Sequence, residues 1–173
     1  MNHKMLSPGD LIEVPFKEGV HTYGRILVEG SCAFYDCSST TDRTDYETII
    51  ASEILFITHV FISTIKDGNW KIITNIPLDE NLKLFYPRYF NPAPQNKENV
   101  NFYEVYKKEI EDAIEKDWIK TGRIQLDGVP QYFHIEARIS DYYDGKRNEG
   151  NKGIVWMFKK YLGMTSLSYD DFK

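Results

Sequence analysis

Histidines and carboxylates are the side chains of this sequence that most readily hold metals or move protons. The chain has four histidines, His3, His21, His59 and His134. They have no metal-binding spacing, and Glu136 beside His134 does not complete an H-E-x-x-H helix. We expect no metal site and no catalytic pair, although sequence alone leaves any role for His21, His59 or His134 open.

Two of these histidines lie in or beside predicted strands. His59 is part of an apolar stretch, which favours a hydrogen-bonded core residue. His21 lies in a loop between two predicted strands, from which it could reach Asp36 or Cys37 across the sheet. No pattern in the sequence indicates that this contact forms.

Two cysteines, Cys32 and Cys37, lie five positions apart. This odd spacing points their side chains to opposite faces of a strand, so a disulfide would need a bend between them. A C-x4-C pair without a second pair of ligands is also a poor zinc site. We expect two reduced thiols that pack as small hydrophobic side chains.

A glycine-rich segment at residues 145–153 has the glycine spacing of a phosphate-binding loop. Asn151 stands where such a loop has its lysine, and no strong strand precedes the segment, so we interpret it as a turn before a helix. The sequence also lacks a G-x-G-x-x-G dinucleotide pattern and a G-x-S-x-G nucleophile elbow. The motifs therefore predict no cofactor and no catalytic residue.

Two groups of residues have the character of a protein-binding surface. Acidic side chains follow the polar face of a predicted amphipathic helix and would suit a basic partner: Glu104, Glu111, Asp112 and Glu115. An aromatic segment surrounds one arginine, a composition typical of binding hot spots: Tyr86, Arg88, Tyr89 and Phe90. The acidic face could instead be ordinary solvated surface, and the aromatic segment could instead cover the core.

The elements that would position these residues begin with a predicted hairpin. Residues 8–16 alternate apolar and polar side chains after a Pro-Gly-Asp turn, and residues 23–28 return antiparallel to them. Residues 31–36 predict a third strand, which ends in a polar loop at residues 38–43.

A continuous apolar run at residues 54–62 predicts a central buried strand. A turn at residues 66–69 makes residues 70–74 its expected hairpin partner. Residues 8–75 are thus predicted to be rich in strands.

The second half of the chain is predicted to mix helices and strands over residues 100–173. Four prolines make residues 77–99 an extended connection with no regular element. Helical periodicity predicts helices over residues 101–119 and 154–162. Between them, residues 123–126 and 132–139 alternate around an Asp-Gly turn and predict a second hairpin.

These elements predict one α+β domain over residues 1–173, built on a bent antiparallel sheet or a partial SH3-like barrel with two helices in the C-terminal half. The net charge of −5 and the pI of about 5.4 disfavour nucleic acid as the main partner. The first six residues lack the apolar run of a signal peptide, and no segment has the ~20 apolar residues needed to span a bilayer. We expect a cytoplasmic protein without a membrane partner, and its oligomeric state is left open.

The opening hairpin resembles the immunity protein 26 family of bacterial polymorphic toxin systems. The matching residues are Gly9-Asp10, the strand through Val14-Pro15, and Tyr23-Gly24-Arg25, and the similarity extends over roughly Pro8 to Pro87. The resemblance implies a non-catalytic protein, encoded beside a secreted or contact-delivered toxin that is often a nuclease. Such a protein binds and blocks its cognate toxin.

Two other interpretations start from the same residues. Residues 9–16 are also similar to the first strand of small-barrel ribonuclease toxins, which would make the protein an enzyme. Those toxins continue with an Arg-Pro pair, whereas this chain has Tyr23-Gly24-Arg25-Ile26 and an acidic charge that suits RNA poorly. The third interpretation is a β-barrel interaction module of another role.

Overall fold

The computed structural model of this protein describes residues 6–83, 88–90, 124–126 and 130–146, together with residues 156, 159, 160, 165, 166 and 168. Its centre is a five-stranded antiparallel sheet with strand order β4-β3-β2-β1-β5. The strands of the sheet are β1 (Asp10–Lys17), β2 (Val20–Ile26), β3 (Ser31–Tyr35), β4 (Ile54–His59) and β5 (Lys71–Asn75). The helices are α1 (Tyr46–Ile50), α2 (Ile62–Asp67), α3 (Glu80–Lys83) and α4 (Tyr132–Tyr143).

The opening hairpin and the third strand are confirmed. β1 and β2 pair antiparallel, with Leu11 opposite Arg25 and Glu13 opposite Tyr23. β3 pairs antiparallel with β2 after a single 3-10 turn at Val28–Gly30. Because β1, β2 and β3 follow one another along the chain and in space, short local connections are enough to build the centre of the sheet.

One face of the sheet packs against α2 and α4. Phe34 on β3 stacks on Phe56 of β4 with ring centroids 4.9 Å apart, and it meets Trp70 edge-on at 6.0 Å. The buried residues of this cluster come from strands and helices alike: Ile12, Val14, Ile26, Cys32, Phe34, Phe56, Val60, Ile65, Trp70, Ile135 and Ile139. Removal of this apolar surface from water is the main force that holds α4 on the sheet.

The opposite face is also buried. One cluster there packs around Ile49 of α1, and a second packs around Leu78, which precedes α3. The strand residues of these clusters alternate with those of the first face: Leu11, Tyr23, Tyr35, Ala33 and Ile57. Both faces therefore carry buried apolar side chains, which explains why β3 is apolar at four of its five positions.

The predicted strand at residues 132–139 is wrong, because this segment is the helix α4. Its apolar side chains at Tyr132, Ile135, Ile139 and Tyr143 recur every three or four residues, which places them on one side of a helix. Ile135 and Ile139 are 2% and 0% exposed. In a strand, Ile135 and Ile139 would also point to one face, but the other apolar side chains of this segment would not all be buried at the same place.

The predicted hairpin between residues 54–62 and 70–74 is also wrong. β4 and β5 are the two opposite edges of the sheet, and β5 pairs with β1, with Asp10 opposite Asn75. The apolar run ends as a strand at His59, and α2 occupies the chain between the two strands. β4 is thus an edge strand rather than a central one, although Phe56 and Ile57 are buried as expected.

The connection at residues 77–99 contains regular structure, contrary to the prediction. It includes α3 and the strand β6 (Arg88–Phe90), which pairs in parallel with β7 (Ile124–Leu126). The predicted helix over residues 101–119 lies outside the described residues. Within the helix predicted at 154–162, residues 156, 159 and 160 are helical.

An antiparallel sheet flanked by helices confirms the α+β class. In the described part of the chain no pairing joins β4 to β5, so the sheet is open and its closure into an SH3-like barrel is not observed. None of the helices in that part has the length and apolar character that a bilayer-crossing segment requires.

Candidate functional site

The start of β1 and the end of β5 are joined by hydrogen bonds around Gly9 and Asp10. The Gly9 N–H donates to the Ile26 carbonyl at 2.7 Å, and the Ile76 N–H donates to the Gly9 carbonyl at 2.9 Å. The Asp10 carboxylate accepts from the Asn75 amide at 2.9 Å. Gly9 has a φ of +93°, and a Cβ there would collide with the Ile76 carbonyl, so the turn requires glycine.

Arg25 completes this group, which we call the strand junction (Gly9, Asp10, Arg25, Asn75 and Ile76). The Arg25 side chain is enclosed, with the residue only 2% exposed, and its guanidinium donates to the Ile76 carbonyl at 3.1 Å and to the Pro77 carbonyl. The preceding Gly24 lies against β3, where a Cβ would come within 2.7 Å of Cys32 Sγ. These residues therefore hold the strands of the sheet together.

A second polar group lies on the same hairpin, nearer its turn. His21 Nε2 is 2.9 Å from the Tyr23 hydroxyl and 3.6 Å from Glu13 Oε2. The hairpin register explains the meeting, because Glu13 pairs with Tyr23 and His21 lies two residues before Tyr23 on the same face. The side chains of Glu13 and His21 are 13% and 11% exposed, so the contact is largely shielded from water.

Lys71 and Asp42 complete this group, which we call the His21 cluster (Glu13, His21, Tyr23, Asp42 and Lys71). Lys71 Nζ lies 3.1 Å from Glu13 Oε1, and this hydrogen bond raises the pKa of Lys71. Burial raises the pKa of Tyr23, and the charge of Glu13 adds to the shift. One oxygen of Glu13, one nitrogen of His21 and one oxygen of Asp42 all lie within 4.8 Å of one another, so these three side chains could hold a metal ion.

The contact predicted as possible between His21 and Asp36 or Cys37 is not the one that forms. His21 contacts Tyr23 and Glu13, whereas Asp36 accepts a hydrogen bond from the Tyr142 hydroxyl at 2.8 Å. His59 is half-buried on the edge strand β4, with its ring 5.0 Å from that of Phe61.

Cys32 and Cys37 are buried free thiols that pack as small hydrophobic side chains, as predicted. Burial raises the pKa of Cys32 well above its ordinary value, and it raises the pKa of Cys37 as well. Because the thiolate is the nucleophilic form, neither environment favours a reactive cysteine.

The side of the molecule that carries α2 and α4 exposes several large apolar groups. Phe61 is 50% exposed, Ile62 36% and Phe133 51%. On α4, the Arg138 guanidinium lies 3.9 Å from the centroid of the Phe56 ring, and burial lowers the pKa of Arg138 to about 10. Exposed aromatic side chains such as Phe61 and Phe133 are enriched in protein-binding surfaces.

Of the partner-binding residues predicted from the sequence, the structure places three on one element. Arg88, Tyr89 and Phe90 form β6, beside β7. The acidic residues Glu104, Glu111, Asp112 and Glu115 lie outside the described residues, as does Tyr86.

Sequence reasoning missed the His21 cluster, because Glu13, His21 and Asp42 do not have the spacing of any metal motif. The hairpin register was the available signal. Once β1 and β2 are paired across a short turn, Glu13 and His21 become diagonal neighbours on one face. The sequence gives no such signal for Asp42, because the position of Asp42 beside His21 depends on the backbone pairing of His21 with Ser39.

Comparison with known proteins places these observations in a family. No curated protein and no solved structure gives a significant match. The family model described as Immunity protein 26 matches residues 7–99, more than half of the 173 residues, and the match includes the whole five-stranded sheet and the strand junction. This confirms the resemblance carried by Gly9-Asp10 and Tyr23-Gly24-Arg25, and the chain belongs to the Immunity protein 26 family.

Proposed function

We propose that this protein binds a cognate bacterial toxin and neutralises it without chemistry of its own. The family match over residues 7–99 is the observation that carries the proposal, because immunity proteins as a class act on toxin partners. The roles of the matching residues support it. Gly9, Asp10 and Arg25 all bond to backbone or side-chain groups of the protein itself, which is the role expected in a scaffold.

For the binding surface we propose the acidic residues Glu104, Glu111, Asp112 and Glu115. The net charge of −5 supports a basic partner, since an acidic surface attracts a basic protein over distances of about a Debye length. A nuclease toxin has such a basic cleft for phosphates, and acidic side chains would occupy it in place of the nucleic acid.

The rival surface is the aromatic segment of Tyr86, Arg88, Tyr89 and Phe90. Aromatic and arginine side chains dominate the energy of many interfaces because they bury a large area with few rotatable bonds. If this segment is the centre of the interface, its removal will speed dissociation, whereas removal of the acidic residues will slow association.

The first experiment co-expresses the full chain with the toxin-like protein encoded beside its gene. We expect a stable one-to-one complex with a nanomolar Kd that abolishes the toxicity. Absence of binding, together with RNA cleavage or growth arrest caused by this chain alone, would contradict the proposal and favour the ribonuclease interpretation.

The acidic surface is tested by reversing Glu104, Glu111, Asp112 and Glu115 to lysine and measuring association kinetics at several salt concentrations. We expect slower association and a flatter salt dependence. The matched control reverses four exposed acidic residues elsewhere, which changes the net charge by the same amount: Glu18, Glu47, Glu53 and Asp67. Equal effects in the two variants would assign the attraction to overall charge and not to this surface.

The aromatic surface is tested by alanine substitutions at Tyr86, Arg88, Tyr89 and Phe90. If this surface is the centre of the interface, at least one substitution will weaken binding by more than about 2 kcal/mol, mainly through dissociation. Alanine at the exposed Trp156 is the control for loss of an exposed aromatic ring.

A further inference from the structure

Three side chains with metal-ligand chemistry converge beside the first hairpin. Glu13 lies on β1, His21 lies on β2, and Asp42 lies in the loop that follows β3. One donor atom from each lies within 4.8 Å of the other two. Imidazole nitrogen and carboxylate oxygen together are a ligand set that divalent zinc takes in proteins.

The distance between the first two ligands is informative. Glu13 Oε2 and His21 Nε2 are 3.6 Å apart, which is too long for a hydrogen bond. Two ligands of a tetrahedral zinc ion, each bound at 2.0–2.2 Å, lie about 3.4 Å apart. The pair is therefore close to the separation that a shared ion would impose.

The backbone fixes two of the ligands in advance. Glu13 and His21 stand on paired strands, and their side chains are largely buried. The loop that carries Asp42 is tied to His21 by two backbone hydrogen bonds, in which the His21 N–H donates to Ser39 at 2.9 Å and the Ser39 N–H donates back at 2.8 Å. The exposed Asp42 can then close on an ion that the two strands already hold.

Two neighbouring groups must make room. The Tyr23 hydroxyl is 2.9 Å from His21 Nε2 and would release this nitrogen to the ion. Lys71 binds Glu13 through Oε1 and leaves Oε2 to face His21. The Lys71 side chain is 70% exposed, so it is free to move away from an incoming cation.

We propose that Glu13, His21 and Asp42 form a binding site for one divalent cation of the zinc type, with the fourth coordination position open to water. This assignment is independent of the toxin-binding proposal, since it concerns an ion held by the first hairpin and the loop that follows β3. No metal site was predicted from the sequence, because the ligands meet only through the strand register and the pairing of His21 with Ser39.

The test titrates zinc into the full-length, untagged chain and follows heat release and thermal unfolding. The protein carries His3→Ala throughout, because a histidine so near the N-terminus is a separate ligand. We expect one zinc per chain and a Tm that rises with zinc concentration, since an ion that binds only the folded state stabilises it. Cobalt bound in place of zinc should give the visible absorption of a tetrahedral site.

Two variants remove ligands, His21→Gln and Asp42→Asn. Each should weaken zinc binding by at least about tenfold. Asp42 is exposed, so its variant is expected to fold even if His21→Gln does not, and near-UV circular dichroism in EDTA checks the fold of both. His134→Gln is the matched control, since it removes an exposed histidine of α4 and should leave the zinc affinity unchanged.

Three results would overturn the assignment. The first is no zinc binding by the parent chain at micromolar concentrations. The second is an affinity that Asp42→Asn and a folded His21→Gln leave unchanged. The third is binding that disappears in Cys37→Ala but persists in Asp42→Asn, which would move the ion to the thiol. Any of these would make the His21 cluster a network of hydrogen bonds and ion pairs only.

Discussion

Arg25 shows how a charged residue can serve the interior of this fold. It is among the largest fully buried side chains of the described residues, and its guanidinium binds the backbone carbonyls of Ile76 and Pro77 just after β5. Charge-assisted hydrogen bonds to carbonyls offset part of the cost of removing the guanidinium from water. Arg25 thus joins β2 to the chain that leaves the far edge of the sheet.

Replacement of Arg25 with methionine keeps much of the side-chain volume but removes both hydrogen bonds. We expect a loss of about 3 kcal/mol in the free energy of unfolding, because two partly buried carbonyls lose a charged donor. Urea denaturation measures this loss in the free energy of unfolding. Arg43→Met is the control, since Arg43 pairs with Asp45 at the surface, and it should leave the midpoint nearly unchanged. Similar midpoints for the two variants would contradict this role of Arg25.

Gly24 provides a second prediction at the residue scale. A Cβ at this position would lie 2.7 Å from Cys32 Sγ, so Gly24→Ala should cost about 2 kcal/mol by overpacking. Cys32→Ala removes the clashing atom, and the double variant should recover about 1 kcal/mol relative to the sum of the single effects. Additive effects in denaturant unfolding would show that the contact with Cys32 is not the reason for glycine.

At the scale of elements, α4 shows what sequence patterns could and could not predict. β1, β2 and β3 were predictable, because their alternation and turns are local signals. The α4 segment follows an Asp-Gly dipeptide in the sequence and is rich in aromatic residues, so two-residue alternation competed with a helical spacing of Tyr132, Ile135, Ile139 and Tyr143. Tertiary burial against the sheet decides between them, and this depends on residues that are distant in sequence.

The edges of the sheet were unpredictable for a related reason. The turn before Trp70 favoured a hairpin with β4, but β5 finds its partner in β1, about 60 residues earlier in the chain. The candidate site was likewise predictable from the sequence only in part. The Gly9-Asp10 and Gly24-Arg25 signatures were visible in the sequence, whereas the meeting of His21 with Glu13 required the pairing of two strands.

The contact between α4 and Trp70, which lies between α2 and β5, predicts a dependence of stability on pH. Trp70 Nε1 donates to Glu136 Oε1 at 2.8 Å, but burial raises the pKa of Glu136 and the hydrogen bond offsets this only in part. A carboxyl whose pKa is higher in the folded state favours folding when it is protonated. Its contribution is therefore complete below the unfolded pKa and is lost as the pH rises through the folded pKa.

Glu136→Gln keeps an oxygen for Trp70 and removes the charge. The variant should be at least as stable as the parent at pH 7, and the difference between them should shrink as the pH falls towards 4. Denaturant midpoints at several pH values measure this. A parent that is more stable than the variant at pH 7 would show that the ionised carboxylate is the better partner of Trp70.

At the scale of the whole molecule, the region matched by the family model contains only part of the buried core. The match stops at residue 99, yet Ile135 and Ile139 of α4 belong to the main buried cluster. Two further contacts bind the end of α4 to the sheet region, an ion pair from Lys17 to Asp144 and the hydrogen bond from Tyr142 to Asp36. We propose that residues 1–173 form one domain whose core needs both halves.

Truncation tests this proposal. A fragment of residues 1–99 keeps the sheet but loses α4, so we expect it to unfold without a cooperative transition. A fragment of residues 1–146 restores α4 and should unfold cooperatively, with tryptophan fluorescence as the probe in both. Cooperative unfolding of the shorter fragment near the midpoint of the full chain would show that the matched region is a domain by itself.

The late position of α4 has a consequence for synthesis of the protein on the ribosome. The strands of the sheet are complete once β5 is made, but the helix that covers Val14 and Phe34 ends roughly 70 residues later, or about 3 to 14 s at usual elongation rates. During that interval part of the apolar face of the sheet, which α4 later covers, is exposed to solvent. Chaperone capture in this window, rather than the stability of the finished protein, would then set how much functional protein a cell obtains.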